Sequence, residues 1–223
     1  MSGCATQDNA LRRTFDAAKV QRAYAGVAPV YDFWSKLTES RAANRALELA
    51  EIQVGEAVLE VAVGTGLAFE EVLKRNPSGR NIGIDLSPGM LLKASARLKA
   101  RSQGRLQLLL GDALQLPFKE SGFDLVLNHY MLDLLPEELF QAILLEFKRI
   151  LKNSGRVVIV TMAEGTKTVH GFWRMLARRA PALLTGCRPV SVGPHLVQAG
   201  FSNIIVESVS QNTFPSEIIR AAL

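Results

Sequence analysis

The chain has 223 residues, 48% of them hydrophobic and 21% charged, which is the composition of a globular domain with one well-buried core. Its two cysteines, Cys4 and Cys187, are too few and too far apart for a disulfide framework or a zinc site. The N-terminal residues contain no apolar signal segment, and no stretch approaches the roughly 20 apolar residues that span a bilayer. We therefore expect a soluble, cytoplasmic protein.

The net charge of +5 is concentrated in two segments, 86–111 and 165–190, which carry basic residues and no acids. These segments predict two basic surfaces that could meet an anionic partner.

The pattern of apolar residues predicts two parts of one compact unit. Residues 10–52 are rich in Ala, Leu, Arg and Glu and are expected to be helical, so residues 1–52 form an N-terminal helical cap on a main domain of residues 53–223. In the main domain, apolar runs alternate with helical patterns. The predicted strands are 56–64, 80–87, 105–113, 123–130 and 155–163, and the predicted helices between them are 67–76, 88–101 and 136–152.

The alternation of strands and helices predicts the fold class. The strands are continuously apolar, as burial on both faces requires, so we expect parallel pairing in a doubly wound α/β sheet. We expect the helix of 136–152 to begin at Pro136, followed by two acids that suit a helix N-terminus. The last two strands, "FSNIIVESVSQ" and "TFPSEIIRAAL", are joined by few residues and predict an antiparallel hairpin. The expected sheet is thus mostly parallel and seven-stranded.

A glycine turn follows the first strand, at Gly64 and Gly66. In a doubly wound sheet, glycines at this turn let the backbone approach a ligand, and the next helix offers its N-terminus to an anionic group. A tight turn between two core elements is the alternative interpretation. Phe69 stands where a dinucleotide motif has its third glycine, which argues against a pyrophosphate and favours a carboxylate.

Acids also follow the next two strands. Asp85 lies about 20 residues after the glycine turn, where a carboxylate can accept hydrogen bonds from ribose hydroxyls; it could equally be a turn or cap residue. Asp112, next to Gly111, could accept a hydrogen bond from an exocyclic amine, or be an ordinary loop acid. Three polar or glycine-bearing strand ends in succession favour a nucleoside with a carboxylate tail.

The strings "VLEVAVGTG", "GIDLSPGML", "GDALQLPF" and "FDLVLNHYMLDLLP" resemble, in order, motifs I, post-I, II and IV of the class I S-adenosylmethionine-dependent methyltransferases. "VAPVYDFWSKL" and "ILKNSGRVVIVTM" are similar to the ubiquinone/menaquinone C-methyltransferase subgroup, whereas "VGTGL" is closer to bacterial phospholipid N-methyltransferases. The resemblance implies an enzyme with a Rossmann-like methyltransferase fold and S-adenosylmethionine as its cofactor.

The resemblance also implies roles for individual residues. It places Glu60 and the turn Gly64, Thr65 and Gly66 at the methionine part of the cofactor. Asp85 with Leu86 would lie at the ribose, and Asp112 with Ala113 at the adenine edge. Asn128 or His129 would lie near the transferred methyl group, and Tyr31 over the cofactor. His129 is the candidate general base; a hydrogen-bonded structural histidine is the alternative. No histidine has metal-ligand spacing with a partner, so no metal is expected.

The substrate is predicted from two further features. Residues 128–131 do not show the pattern of Asn or Asp, two prolines and an aromatic that is typical of enzymes that methylate nucleobase amines, so nucleic acid is not expected. Residues 169–180 form an amphipathic pattern, which fits either a lid on a membrane surface with Trp173 at the headgroups or a lid packed on its own active site. We therefore expect a methyltransferase acting on a hydrophobic or lipid-like small molecule, a quinone precursor or phospholipid headgroup. The alternatives are a soluble metabolite as acceptor and, third, a non-catalytic cofactor-binding scaffold.

Overall fold

The computed structural model describes residues 37–99, 106–165, 170–179 and 187–223. Most of the predicted cap, including Tyr31, lies outside these residues. The helices are α1 (Ser40–Leu49), α2 (Phe69–Arg75), α3 (Pro88–Leu98), α4 (Phe140–Ile150), α5 (His170–Arg179) and α6 (Gly193–Ala199). The strands are β1 (Ala57–Val61), β2 (Arg80–Asp85), β3 (Leu106–Leu110), β4 (Phe123–His129), β5 (Leu151–Met162), β6 (Ser202–Gln211) and β7 (Phe214–Ala222).

The strands form one seven-stranded sheet in the order β3-β2-β1-β4-β5-β7-β6. Strands β1 to β5 pair in parallel, whereas β7 runs antiparallel to both β5 and β6. The predicted parallel sheet with an antiparallel C-terminal hairpin is confirmed. The strand order reverses between β1 and β4, and the carboxyl ends of the strands at such a switch point are where open α/β sheets bind ligands.

Both faces of the sheet are covered, which explains the unbroken apolar strands. Successive residues of a strand point to opposite faces, so Leu59 and Val61 pack in one core with α4 and α6, whereas Val58 packs in a second core with α1, α2 and α3. Phe69, the residue at the third-glycine position, is fully buried in this second core.

The predicted helix of 136–152 is wrong at both ends. Pro136 has an extended backbone with ψ 139° and precedes a short 3-10 turn, Glu137–Leu139, so that α4 begins only at Phe140. At the other end Leu151 already belongs to β5, where it is buried and pairs with Phe123. The apolar spacing of "FQAILLEFKRI" runs directly into a strand, without a polar turn to mark the boundary.

Three predicted strands are shorter than expected at their carboxyl ends. β1 ends at Val61, β2 at Asp85 and β3 at Leu110. The residues that follow each strand leave the sheet and form loops at a single edge. Those loops carry most of the residues that the sequence marks as functional.

Helix α5 packs on the protein itself. The Trp173 ring lies edge-on to Phe214, with 5.3 Å between the centroids, and its Nε1 donates a hydrogen bond to Thr213 Oγ1 at 3.0 Å. Trp173 is only 8% exposed, so its ring is packed against Phe214 and Thr213; a membrane contact of this helix stays a prediction. Across the described ranges, no helix has the length and apolarity needed to cross a bilayer.

Candidate functional site

The loops at the carboxyl ends of β1 to β4 enclose two adjoining cavities. The first cavity lies between the loops that follow β2, β3 and β4. The second lies between the turn after β1 and helix α1. The residues lining both cavities are Ala62, Gly64, His129 and Tyr130. We call these four residues the junction.

The two glycines of the turn have different roles. Gly64 has φ +56°, and a Cβ built there would meet nothing nearer than Ala62 O at 4.0 Å, so the bare backbone faces open space. Gly66 has φ +78°, and its Cβ would lie 3.0 Å from Leu98 Cδ1 and 3.3 Å from Ala94. Gly66 lines neither cavity. The two glycines expected at a ligand surface therefore differ: Gly64 lines both cavities without a side chain, whereas Gly66 lets the turn pack against α3.

Arg97 on α3 fixes the middle of this turn. Its Nη1 donates hydrogen bonds to Thr65 O and Thr65 Oγ1, both at 2.7 Å. Thr65 is buried and lines the second cavity. The peptide between the two glycines is thus attached to α3, which limits how far the turn can move.

Asp85 joins two of the loops. Its Oδ2 accepts a hydrogen bond from the Gly64 N–H and its Oδ1 from the Ser87 N–H, both at 2.8 Å. Burial raises the pKa of Asp85 above its usual value, and these two N–H groups oppose that shift. The turn-residue interpretation is confirmed. The carboxylate also lines the first cavity, and its roughly four acceptor sites exceed the three backbone N–H groups, of Gly64, Leu86 and Ser87, that contact it.

Apolar residues make up most of the remaining lining of the first cavity. Leu86, Asp112 and Ala113 line it, and Asp112 Oδ1 accepts a hydrogen bond from the Leu114 N–H at 2.9 Å. Met90, Met131, Leu134 and Leu135 complete this wall. A flat, weakly polar ligand with one or two amine donors matches such a lining.

Glu60 and His129 form a buried pair at the junction, which the sequence analysis did not foresee. His129 Nδ1 lies 2.8 Å from Glu60 Oε1, with side-chain exposures of 8% and 2%. An ionised carboxylate can only accept, so beside a charged Glu60 the contact requires a proton on Nδ1, and Nε2 of a neutral ring would then be an acceptor. Neither His129 Nε2 nor Glu60 Oε2 has a hydrogen-bond partner within the described part of the chain.

The strand register explains the pair. Glu60 lies opposite Leu127 in the β1–β4 pairing. His129, two residues further along β4, therefore projects from the same face and is a diagonal neighbour of Glu60.

Two junction residues have strained backbones. Ala62 has φ +60° and Tyr130 has φ +52°, the left-handed region that non-glycine residues seldom adopt. The Tyr130 hydroxyl shares a 2.7 Å hydrogen bond with Ser216 Oγ on β7, and burial raises its pKa well above the usual value. Such strain often accompanies functional sites. Nothing in the composition of "NHYM" signals it.

Asn128 does not lie at the cavities. It is fully buried, its Nδ2 donates a hydrogen bond to Val61 O at 2.8 Å, and it lines neither cavity. Of the two residues expected near the transferred group, only His129 faces the junction. No cluster of metal-ligating side chains occurs among the residues that the structure describes.

Comparison with known proteins identifies the family. A family described as a methyltransferase domain matches residues 58–155. The demethylmenaquinone methyltransferase of Lactococcus lactis is 33% identical over 141 residues, which are 63% of this chain and 52% of that protein. The enzyme of the same name from Thermus thermophilus is 30% identical over 169 residues, 73% of this chain and 75% of that protein. The chain thus spans about half the length of the first of these relatives and three quarters of the second.

A solved structure supports the same fold. The S-adenosylmethionine-dependent methyltransferase from Aquifex aeolicus superposes with a TM-score of 0.62 at 18% identity, covering 93% of this chain and 98% of that one. Together with the sequence relatives, this likeness leads to one conclusion. The chain belongs to the class I S-adenosylmethionine-dependent methyltransferases.

Proposed function

We propose that the protein transfers the methyl group of S-adenosylmethionine to an uncharged, apolar small molecule of the quinone-precursor class. One observation carries the choice of acceptor: in the described parts of the chain, neither cavity is lined by a lysine or arginine. A phospholipid headgroup would bring a phosphate next to Asp85, Asp112 and the glutamates of the second cavity, and like charges at short range repel. The curated relatives, named for demethylmenaquinone, agree with a quinone precursor.

The residues present fit the cofactor. Glu60 Oε2 is a buried acceptor without a partner in the described structure, and an ammonium group would satisfy it. The free lone pairs of Asp85 suit ribose hydroxyls, and Leu86, Asp112 and Ala113 suit the adenine edge. Gly64 offers a wall without a side chain between these two regions. When bound, S-adenosylmethionine supplies a methyl group on a positively charged sulfur.

The chain's own contribution to the reaction is alignment and exclusion of water. Tyr130 and Met131 are buried and line the cavity beside His129, so an acceptor held there would be largely desolvated. An in-line displacement depends on holding the reacting atoms in near-attack geometry, and a dry site strengthens the electrostatic interactions around them.

A soluble amine is the second candidate acceptor, because a specific observation favours it. The second cavity is lined by four glutamates, Glu39, Glu60, Glu70 and Glu71. Carboxylates around a cavity attract a cationic amine. The acidic wall would then serve the acceptor as well as the cofactor.

A direct transfer assay separates these candidates. The protein is incubated with S-adenosylmethionine carrying a radiolabelled methyl group and, separately, with naphthohydroquinone kept under reducing conditions, with ethanolamine, or with phosphatidylethanolamine vesicles. We expect label in the naphthohydroquinone product. Label only in ethanolamine or in lipid would contradict the proposed acceptor, and no calorimetric binding of S-adenosylmethionine at near-millimolar concentration would contradict the proposed function itself. Asp112→Ala is a second test of the cofactor site. We expect it to weaken cofactor binding about tenfold, because it removes one charge-assisted hydrogen bond.

A further inference from the structure

We infer that His129 accepts a proton from the methyl acceptor, and that Glu60 is the positioning residue that holds His129 in the form able to do so. The inference rests on the proposed function and narrows its substrate class: the acceptor must lose a proton at or next to the reacting atom, as a phenol, an enol or a hydroquinone does. The single feature behind it is the buried Glu60–His129 pair at the junction of the two cavities.

The geometry favours one tautomer of a neutral His129 ring beside an ionised Glu60. The 2.8 Å contact joins Nδ1 of the ring to Oε1 of the carboxylate, and β1 and β4 hold the two residues in register. Rotation of the ring by a half turn about its χ2 bond would exchange Nδ1 for a carbon opposite Glu60 and lose the hydrogen bond. The neutral ring therefore keeps its proton on Nδ1 and its lone pair on Nε2.

His129 lies where a ligand in either cavity would contact the ring, and its Nε2 is not occupied by another group of the described protein. His129 lines both cavities, and Nε2 has no partner in the described residues although it is buried. A buried acceptor without a hydrogen bond is destabilising, and a donor on a bound molecule would remove that penalty. A histidine with a purely structural role would be expected to have both ring nitrogens satisfied.

The charged and titratable groups around the pair are acidic or neutral. Asp85, from β2, lies close enough to Glu60 for the two carboxylates to influence each other. Glu39, from the segment before α1, and Tyr130, from the end of β4, line the second cavity with the pair. In the described lining no lysine or arginine competes with His129 for Glu60.

The reaction balances with the groups named. A proton passes from the acceptor to His129 Nε2, and the electron pair it leaves makes the acceptor atom, or the ring carbon conjugated to it, nucleophilic. A bond forms between that atom and the methyl carbon, while the bond from methyl carbon to sulfur breaks with its electrons kept by sulfur. The positive charge formerly on sulfur ends on the imidazolium, which Glu60 stabilises as its counter-ion, and the proton is later released to water.

The amide variant Glu60→Gln tests the positioning role. A glutamine side chain can donate to Nδ1 as well as accept from it, so the variant no longer enforces one tautomer. In the serine protease triad, the corresponding exchange of aspartate for asparagine keeps the geometry and lowers kcat about 10⁴-fold. Here we expect kcat with naphthohydroquinone to fall at least about 100-fold at saturating cofactor, the lower range of general-base catalysis. Glu48→Gln, an exposed acid on α1, is the matched control and should keep the wild-type kcat.

A second readout does not depend on turnover. The chain contains only three histidines, so nitrogen NMR of protein with isotope-labelled histidine can assign His129 by comparison with His129→Asn. We expect the cofactor-free wild-type protein to show a protonated Nδ1 and a bare Nε2, and Glu60→Gln to show a mixture or the reverse. A wild-type spectrum with a protonated Nε2 would overturn the inference.

Another variant provides a test in case Glu60→Gln does not fold. His129→Ala removes the ring. If the variant lacks only a base, free imidazole added to the assay should raise its rate at least about tenfold over the rate without imidazole. Absence of rescue, with the cofactor still bound by calorimetry, would count against the inference. An unchanged kcat in folded Glu60→Gln, or transfer by the wild-type protein to ethanolamine alone, would also count against the inference. Absence of transfer to any acceptor would instead refute the proposed function, and the inference with it.

Discussion

The two glycines of the turn after β1 provide a matched pair of substitutions. We expect the larger loss of stability at Gly66 and the larger loss of cofactor affinity at Gly64. Alanine at either position must adopt a positive φ, which costs about 1–2 kcal/mol. At Gly66 the new methyl group would also lie 3.0 Å from Leu98 Cδ1 and 3.3 Å from the Ala94 backbone, and overpacking of this kind costs a further 1–3 kcal/mol, roughly. The free energy of unfolding should therefore fall by about 2–5 kcal/mol in Gly66→Ala and by about 1–2 kcal/mol in Gly64→Ala.

Ligand affinity should show the reverse order. The methyl group of Gly64→Ala has open space around it and enters the wall shared by the two cavities. We expect it to raise the Kd for S-adenosylmethionine at least about tenfold, or about 1.4 kcal/mol. Gly66→Ala leaves that wall intact and should change the Kd of the folded protein by less than about threefold.

Two measurements decide the matter. Urea denaturation followed by circular dichroism gives the free energies of unfolding, and isothermal titration calorimetry at a temperature where both variants are folded gives the Kd values. Equal stability of the two variants would refute the packing assigned to Gly66. Normal cofactor binding by Gly64→Ala would refute the open wall assigned to Gly64.

Three further substitutions test other contacts. Burial raises the pKa of Asp133 from 3.8 to about 7. The protonated side chain therefore contributes its full stability below about pH 4, and that contribution is lost as the pH rises through about 7. Relative to wild type, the free energy of unfolding of Asp133→Asn should increase by up to about 4 kcal/mol between those limits, as measured by urea unfolding at pH 5 and pH 8. Arg156→Met should lower the free energy of unfolding by about 3 kcal/mol, because it leaves the largely buried Glu56 carboxylate without its two-pronged partner; an unchanged urea midpoint would contradict this. Arg97→Met should loosen Thr65 and weaken cofactor binding several-fold in calorimetry, and unaltered affinity would show that the turn needs no such support.

The sheet could be predicted from the sequence because its cause is local. Runs such as "VLEVAV" and "FDLVLNHY" carry apolar residues that point to both faces of the strand, and burial on both faces accounts for that. The hairpin was predictable because so few residues separate β6 from β7 that no crossover is feasible. The C-terminal end of the helix before β5 was predicted too late because no turn residue separates Ile150, the last residue of the helix, from Leu151, the first residue of the strand.

The site was predictable only where a single segment determines it. Asp85 and Asp112 follow their strands in sequence, so their place at one edge of the sheet follows from topology. The Glu60–His129 pair depends on the register of two strands 69 residues apart, and register is set by the packing of the whole sheet. Likewise, Gly66 looks identical to Gly64 in the sequence, and only the approach of α3 distinguishes them.

The double attachment of Asp85 changes how defects at that position should be interpreted. One carboxylate anchors the Gly64 peptide with one oxygen and the Ser87 peptide with the other, so truncating the side chain disorders two loops before any nucleoside arrives. A drop in affinity after Asp85→Ala would combine this loss of preorganisation with the loss of the proposed contact to the sugar, and would overstate the strength of that contact. Chemical editing of the ligand, by removing one ribose hydroxyl at a time, is the cleaner route to the strength of that contact.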